Sequence, residues 1–249
     1  MERVSVLREG RELALVEGDG DAVGILTPEL GSRFRSVHRF ELRPGSRTHA
    51  MAHPGEAVYA VTSGEGLVQS AEDEQALREL SMVYVPDGVE YRLVASGSMT
   101  VVGGPCPPDP GLYGSNPRPA LSRPGRPAVL DASRDGRPIP IISRAARLVI
   151  WQGMGARVAG LNYVVLEPGE ENVPHVHESS DDTITVLEGR GSVDDLGEGS
   201  TLEFGPGDVV HVLAGVEHKV KADKGVRIRS VGGPCPPDLA MLRRCGLLD

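Results

Sequence analysis

The chain has 249 residues, enough for one large domain or for two domains of about 110–120 residues. Hydrophobic residues make up 39% of it and charged residues 24%, which excludes a disordered chain, and no apolar stretch is long enough to span a membrane. The formal net charge of −9 argues against nucleic acid as a partner, because duplex binding needs a basic face.

The N-terminus and the cysteine content predict a cellular compartment. The residues that follow Met1 do not form a basic region followed by an apolar stretch, so we expect no secretion signal. Three cysteines are an odd number and imply no disulfide framework. We therefore expect a cytoplasmic protein, in which thiols stay reduced.

Short apolar or alternating runs that end at turn residues predict strands along the whole chain. In the N-terminal half the predicted strands are 37–42, 57–61 and 82–85, and in the C-terminal half they are 163–166, 183–187 and 209–212. The middle strand of each half leads into a Gly-x-Gly turn, and brief helices are predicted at 75–80 and 239–248. This pattern is typical of an all-β sandwich or small barrel that occurs twice.

An internal repeat supports that duplication. The segment Gly103–Asp109 recurs letter for letter as Gly232–Asp238, and we call it the repeated heptapeptide. Glycines upstream of each copy also match, Gly64 with Gly189 and Gly88 with Gly215. We therefore expect an N-terminal domain over 1–109 and a C-terminal domain over 141–249.

The segment 110–140 between these domains differs in composition. Ten of the 20 prolines fall between residues 105 and 140, and arginines outnumber acids between residues 118 and 147. A linker is the preferred interpretation, and a basic anion-binding site is the alternative.

Candidate metal ligands cluster in the C-terminal domain. His175 and His177 stand two residues apart, Asp182 follows at the start of a predicted strand, and His218 comes after the next hairpin. Side chains two apart on a strand point to the same face. Three imidazoles and one carboxylate are a ligand set for a non-haem divalent metal ion with open positions for water or substrate.

These spacings resemble the two motifs of the cupin superfamily. The first is Gly-x5-His-x-His-x4-Asp-x6-Gly from Gly169 to Gly189, and the second is Gly-x5-Leu-x-Gly-x2-His from Gly207 to His218. The similarity occurs once per repeat, so the chain resembles a bicupin. The resemblance implies two tandem jelly-roll β-barrels, with the metal held by His175, His177, Asp182 and His218.

Two features depart from the family pattern. Asp182 stands where the family usually has Glu, so it coordinates directly, acts through water, or leaves a three-His site, and Glu178 and Asp181 are competing carboxylates. In the N-terminal domain the corresponding positions are occupied by Met51, His53, Ala57 and Tyr91. A thioether and a phenol are poor partners for a divalent ion, so we expect this domain to have lost its metal.

The resemblance implies a metal-dependent enzyme acting on a small polar metabolite, with its active site in the C-terminal barrel. We expect an oxidoreductase of the non-haem dioxygenase type. The alternatives are an isomerase, a lyase, a hydrolase similar to ureidoglycine aminohydrolase, and a non-enzymatic small-ligand-binding bicupin.

The expected cofactor is one divalent ion per chain, with Fe preferred and Mn, Ni, Co, Cu or Zn as alternatives. The expected partners are a small-molecule substrate and a second copy of the chain in a homodimer, with no nucleic acid and no membrane. The sequence identifies no catalytic residue beyond the metal ligands.

Overall fold

A computed structural model describes residues 2–114 and 122–248. This part of the chain is almost entirely β-structure, so the predicted all-β fold class is confirmed. No helix in the described ranges is both long and apolar enough to cross a membrane. The strands and the α-helix are, in chain order, β1 (Val4–Leu7), β2 (Arg11–Glu12), β3 (Val16–Glu17), β4 (Gly20–Leu26), β5 (Val37–Leu42), β6 (Arg47–Thr48), β7 (Glu56–Ser70), β8 (Glu74–Arg78), β9 (Ser81–Val85), β10 (Tyr91–Cys106), β11 (Ala128–Asp131), β12 (Arg137–Pro138), β13 (Arg147–Ile150), β14 (Leu161–Leu166), β15 (Asp181–Glu188), β16 (Gly191–Asp195), β17 (Ser200–Phe204), β18 (Val209–Val212), β19 (His218–Ala222), β20 (Ile228–Cys235) and α1 (Leu239–Arg244).

The chain divides into two compact units. The N-terminal unit consists of Glu9–Ala132 and Gly153–Ala159, and the C-terminal unit consists of Met1–Arg8, Ser133–Gln152 and Gly160–Asp249. These ranges differ from the predicted domains at both ends of the first unit. Strand β1 pairs with β18 of the C-terminal unit, and β11, inside the expected linker 110–140, pairs with β9 of the N-terminal unit.

The N-terminal unit is built on one large antiparallel sheet. Its ten strands follow the order β11-β9-β7-β10-β5-β4-β2, with β3, β6 and β8 attached at the side. The core of the unit lies on one face of these strands, where Phe40, Tyr59 and Leu93 are fully buried.

The C-terminal unit contains two sheets. A seven-stranded sheet has the order β1-β18-β15-β20-β14-β13-β12, and a three-stranded sheet has the order β17-β16-β19. Val186 of the large sheet and Val193 of the small sheet lie in the same buried cluster. In the described residues the strands form open sheets packed on a shared core, which is a jelly-roll arrangement rather than a barrel closed by hydrogen bonds.

The brief helix predicted at residues 75–80 is wrong, whereas the one predicted at 239–248 is present as α1 over a shorter range. Residues Glu74–Arg78 form β8, which pairs with β7. Leu77 is buried in the core of the unit while Arg78 on the opposite face is exposed. The alternation of buried and exposed side chains therefore favours a strand over a helix here, because the core of the unit covers only one face of the segment.

The glycines matched between the repeats occupy equivalent tight positions. Gly64 and Gly189 have φ angles of +81° and +88°. A Cβ atom would lie 1.7 Å from the Ser98 carbonyl oxygen at the first position and 2.0 Å from the Arg227 carbonyl oxygen at the second. Only glycine satisfies both conditions. The predicted turn is present between β15 and β16, but β7 continues through Gly64 as a single long strand.

A buried carboxylate attaches a distant segment to the N-terminal unit. Glu56 accepts hydrogen bonds from the backbone N–H groups of Arg157, Val158 and Ala159 and from the Tyr84 hydroxyl, each with a shortest distance of 2.8 Å. Burial raises the pKa of the Glu56 carboxyl, but these four donors lower it by more, so the pKa lies below its ordinary value. Glu56 thus holds Gly153–Ala159 in the N-terminal unit.

We predict that Glu56→Gln lowers the free energy of unfolding by about 2 kcal/mol, because an amide cannot accept hydrogen bonds from all four donors. Since the folded-state pKa is lowered, the contribution is complete above the unfolded pKa and is lost as the pH falls through the folded one. Denaturant unfolding at neutral and at acidic pH measures this, with the exposed Glu12→Gln as control. Equal stabilities of the two variants at neutral pH would contradict the prediction.

Candidate metal centre

A backbone contact joins the first and last predicted histidines. His175, in the segment between β14 and β15, forms an antiparallel bridge with His218, the first residue of β19. The N–H of His175 donates to the carbonyl of His218 at 3.1 Å, and the N–H of His218 donates to the carbonyl of His175 at 2.9 Å. The two imidazole rings then lie with their centroids 4.3 Å apart.

His177 and Asp182 are positioned by separate backbone contacts. The carbonyl of His177 accepts from the N–H of Gly215 at 2.9 Å, in the turn that precedes His218. Asp182 lies in β15 opposite Val212 of β18. Side chains alternate along a strand, and Asp182 and Ile184 both line the interior cavity of the unit.

The structure brings all four predicted ligands together. One candidate ligand atom from each of His175, His177, Asp182 and His218 lies within 4.8 Å of the others. Asp182 Oδ2 is 3.5 Å from His218 Nε2 and 4.0 Å from His177 Nε2. His175 is half-buried and the other three are buried. In the described part of the chain this is the only group of its kind.

Each imidazole has its Nδ1 atom next to an acceptor. His175 Nδ1 lies 2.9 Å from the Val173 carbonyl oxygen, and His218 Nδ1 lies 3.0 Å from the Val216 carbonyl oxygen. His177 Nδ1 lies 2.7 Å from Oδ2 of Asp238. A neutral imidazole that donates from Nδ1 has its lone pair on Nε2, so this network assigns the tautomer that a metal ligand requires.

Two buried polar atoms support the fit to a cation. Within the described residues, Asp182 Oδ1 and His218 Nε2 are buried and have no hydrogen-bond partner. Burying an uncompensated carboxylate is costly unless a cation or a donor is close. Three imidazole nitrogens and one carboxylate are also the donor types that divalent transition metals prefer. The residues present therefore fit a divalent ion.

The pKa shifts of Asp182 and His175 agree with this fit. Burial raises the pKa of the Asp182 carboxyl, but the neighbouring imidazoles lower it by more, so this pKa lies far below its ordinary value. Burial, together with the imidazoles of His218 and His177, lowers the pKa of His175 to about 4. Near neutral pH Asp182 is therefore an anion and His175 is neutral, as ligation requires.

The competing carboxylates lie elsewhere. Asp181 faces the opposite side of β15, where its Oδ1 accepts from the N–H of Ala214 at 3.0 Å and its Oδ2 lies 3.4 Å from Nε2 of His211. Glu178 is exposed. Asp182 is thus the carboxylate that the fold places among the three histidines.

The N-terminal unit repeats the same framework with different side chains. Met51 and Tyr91 form a reciprocal backbone bridge like that of His175 and His218. The carbonyl of His53 accepts from the N–H of Gly88 at 2.9 Å, as that of His177 does from Gly215. Ala57 lies opposite Val85 in the register in which Asp182 lies opposite Val212. The residue-by-residue match made from the sequence therefore agrees with the backbone.

The side chains at these positions form a buried hydrogen-bond chain instead of a ligand cluster. His53 Nδ1 lies 2.9 Å from Asp109 Oδ2, and His53 Nε2 lies 2.8 Å from the Tyr91 hydroxyl, which contacts the Tyr59 hydroxyl. The Tyr91 hydroxyl thus occupies the side of the imidazole that in His177 faces Asp182. His49 lies apart from this chain, 3.0 Å from Glu17.

The contact between Asp238 and His177 is the feature of the site that sequence reasoning missed. Asp238 is the last residue of the repeated heptapeptide, and Asp109 occupies the same place in the first copy. Both aspartates contact the Nδ1 atom of a histidine. The signal in the sequence is the repeat itself, which indicates a duplication but does not by itself indicate a contact between side chains.

Two adjoining cavities lead to the cluster. The inner one contains His175, His177 and Asp182 in its wall together with apolar and small polar side chains. The outer one shares Ile142, Asn172 and His175 with it. The remaining wall of the outer cavity is mostly apolar and includes Arg244. The cluster is therefore accessible to a small molecule.

Comparisons with known proteins agree with this geometry. Residues 162–231 match the family model of the cupin domain. No curated protein matches the sequence significantly. Oxalate decarboxylase from Bacillus subtilis superposes with a TM-score of 0.71 at 13% identity, covering 95% of this chain and 78% of that chain.

Two further structures show the same likeness. Procruciferin, an 11S globulin from Brassica napus, has a TM-score of 0.70 at 10% identity, covering 95% of this chain and 85% of that chain. A structure of the Bacillus subtilis decarboxylase, described for its Mn(II) centres, has a TM-score of 0.70 at 15% identity, with 95% and 78% covered. Residues 162–231 therefore match the cupin domain, and the likeness to these structures shows that 95% of the chain shares their fold.

Proposed function

We propose that the protein is a metal-dependent enzyme whose active site is the cluster of His175, His177, Asp182 and His218. The observation that carries this proposal is the contrast between the two units. The N-terminal unit has replaced three of the four ligand positions, whereas the C-terminal unit retains a complete set beside an accessible cavity. The superposed structures include both a decarboxylase and a globulin, so the fold alone does not decide the activity.

The side chains of the site have distinct roles in this proposal. The three imidazoles and the carboxylate would hold the ion, while Val164, Ile184 and Val220 form apolar walls that exclude bulk water. A divalent ion held there supplies Lewis acidity to a substrate oxygen and, in the case of Fe, a position for O2. Asn162, Asn172 and Ser230 present polar groups that orient the substrate.

The outer cavity defines the shape of the substrate that this proposal requires. Ile141, Val173 and Pro174 form apolar parts of its wall, and Val173 is 68% exposed. A small molecule with a polar end at the ion and an apolar part in this cavity fits both chambers. The proposed homodimer rests on the family resemblance, and the proposed cytoplasmic location rests on the odd number of cysteines in the sequence.

Within this class we propose a non-haem dioxygenase, with a lyase as the alternative. The test is a panel of small carboxylic acids and enols offered to protein loaded with Fe(II) or Mn(II), with O2 uptake and CO2 release recorded together. Stoichiometric O2 uptake that His177→Gln abolishes supports the dioxygenase. Release of CO2 without net O2 uptake indicates the lyase, and binding of a panel compound without turnover indicates a ligand-binding protein.

The metal content should be one equivalent per chain, located in the C-terminal unit. We predict that His177→Gln and His218→Gln each weaken metal binding by more than about 100-fold, since loss of an outer partner alone costs 10–100-fold. The matched variant His53→Gln should keep the full equivalent, because its imidazole faces Tyr91. Elemental analysis and metal titration measure this, and two equivalents in the wild type would refute it.

Asp182 tests whether the carboxylate is a direct ligand. We predict that Asp182→Asn weakens metal binding at least about tenfold, because a neutral oxygen replaces an anionic one beside a dication. Asp182→Glu should retain the metal, since it restores the residue usual in the resembling family. Metal titration of both variants decides the matter, and unchanged affinity in Asp182→Asn would favour a three-His site.

A further inference from the structure

The repeated heptapeptide brings an aspartate to the same place in both units. In the C-terminal unit its cysteine, the last residue of β20, lies opposite Asp181, and Asp238 follows three residues later at the N-terminus of α1. In the N-terminal unit Cys106 ends β10 opposite Glu56, and Asp109 caps the short helical turn Pro110–Tyr113. The strand register therefore places Asp238 close to His177 and Asp109 close to His53.

Each oxygen of Asp238 has a different task. Oδ1 accepts from the backbone N–H of Met241 at 2.9 Å and caps α1, and Oδ2 lies 2.7 Å from Nδ1 of His177. The backbone N–H of Met241 is always a donor, whereas Nδ1 of His177 is a donor only when it carries the proton. A carboxylate accepts at both oxygens, whereas an amide accepts at one and donates at the other.

The first copy of the heptapeptide has the same division of tasks. Asp109 Oδ1 accepts from the N–H of Gly111 at 2.9 Å, and Oδ2 lies 2.9 Å from Nδ1 of His53. The lone pair on Nε2 of His53 then accepts from the Tyr91 hydroxyl, at 2.8 Å. The arrangement thus presents an imidazole lone pair in both units, to a hydroxyl proton in one and to the candidate metal position in the other.

We propose that Asp238 is a positioning residue that fixes His177 in the Nδ1–H tautomer and so directs its Nε2 lone pair to the metal. The repeated heptapeptide is accordingly a ligand-positioning element, retained in the N-terminal unit after the other ligands were replaced. This inference rests on the proposed function, because it takes His177 to be a ligand.

The variant Asp238→Asn tests this with little change of shape. Asparagine can still cap α1. Its amide then turns an NH2 group toward His177 and favours the Nε2–H tautomer, which has no lone pair for a metal. We expect the affinity for Co(II), measured by competition with a chromophoric chelator, to fall 10–100-fold. We also expect a changed visible spectrum of the Co(II) protein, because the His177 ligand is weakened or lost.

Asp109→Asn is the matched control, since it alters the same contacts in the N-terminal unit. It should leave the Co(II) affinity unchanged. Imidazole ¹⁵N NMR of the metal-free proteins supplies a second readout, with His177 expected as Nδ1–H in the wild type and as Nε2–H in Asp238→Asn. An unchanged tautomer, an unchanged affinity in Asp238→Asn, or an equal loss in Asp109→Asn overturns the inference. If the wild type binds no Co(II), the proposed function fails, whereas the NMR result still tests the role of Asp238.

Discussion

The pairing of the ligand-bearing strand with the last strand of each unit is the constraint on which the site depends. In the C-terminal unit Asp182 lies opposite Pro234, and in the N-terminal unit Ala57 lies opposite Pro105. A slip of one residue would turn Asp182 to the outer face and bring Asp181 inward. Strands β20 and β10 each end within a copy of the repeated heptapeptide. The same strand pairing therefore determines the position of the Asp182 carboxylate and of the aspartate that contacts each histidine.

Much of the candidate site could be predicted because its four residues are close in sequence or lie in short hairpins. His175 and His177 are separated by one residue, and the Gly215 turn that precedes His218 is part of a recognisable motif. The predicted strands 37–42 and 209–212 have the observed bounds because these short runs rich in valine end close to turns. Local pattern and turn chemistry therefore determine these elements.

The remaining features depend on contacts between distant parts of the chain. His177 and Asp238 are 61 positions apart, and no local pattern connects them. Strand β1 joins the C-terminal unit through pairing with β18, although nothing in its four residues indicates that partner. Glu56 holds backbone groups about a hundred positions away. Such contacts form only when the strands are paired in their final register. No single segment of the sequence determines that register.

Buried charge distinguishes the two units. The C-terminal unit buries the Asp182 carboxylate with one oxygen lacking a hydrogen bond among the described residues, and a cation beside it removes that cost. The N-terminal unit has Ala57 at this position, so it needs no cation, and the Tyr91 hydroxyl satisfies the imidazole instead. The pair of Asp109 and His53 does not depend on a cation. The Asp109 carboxylate accepts the same two hydrogen bonds whether the other side of the imidazole faces a hydroxyl or a metal ion. The three differing side chains Met51, Ala57 and Tyr91 therefore separate a unit whose buried carboxylate fits a cation from one whose buried histidine is hydrogen-bonded by protein groups.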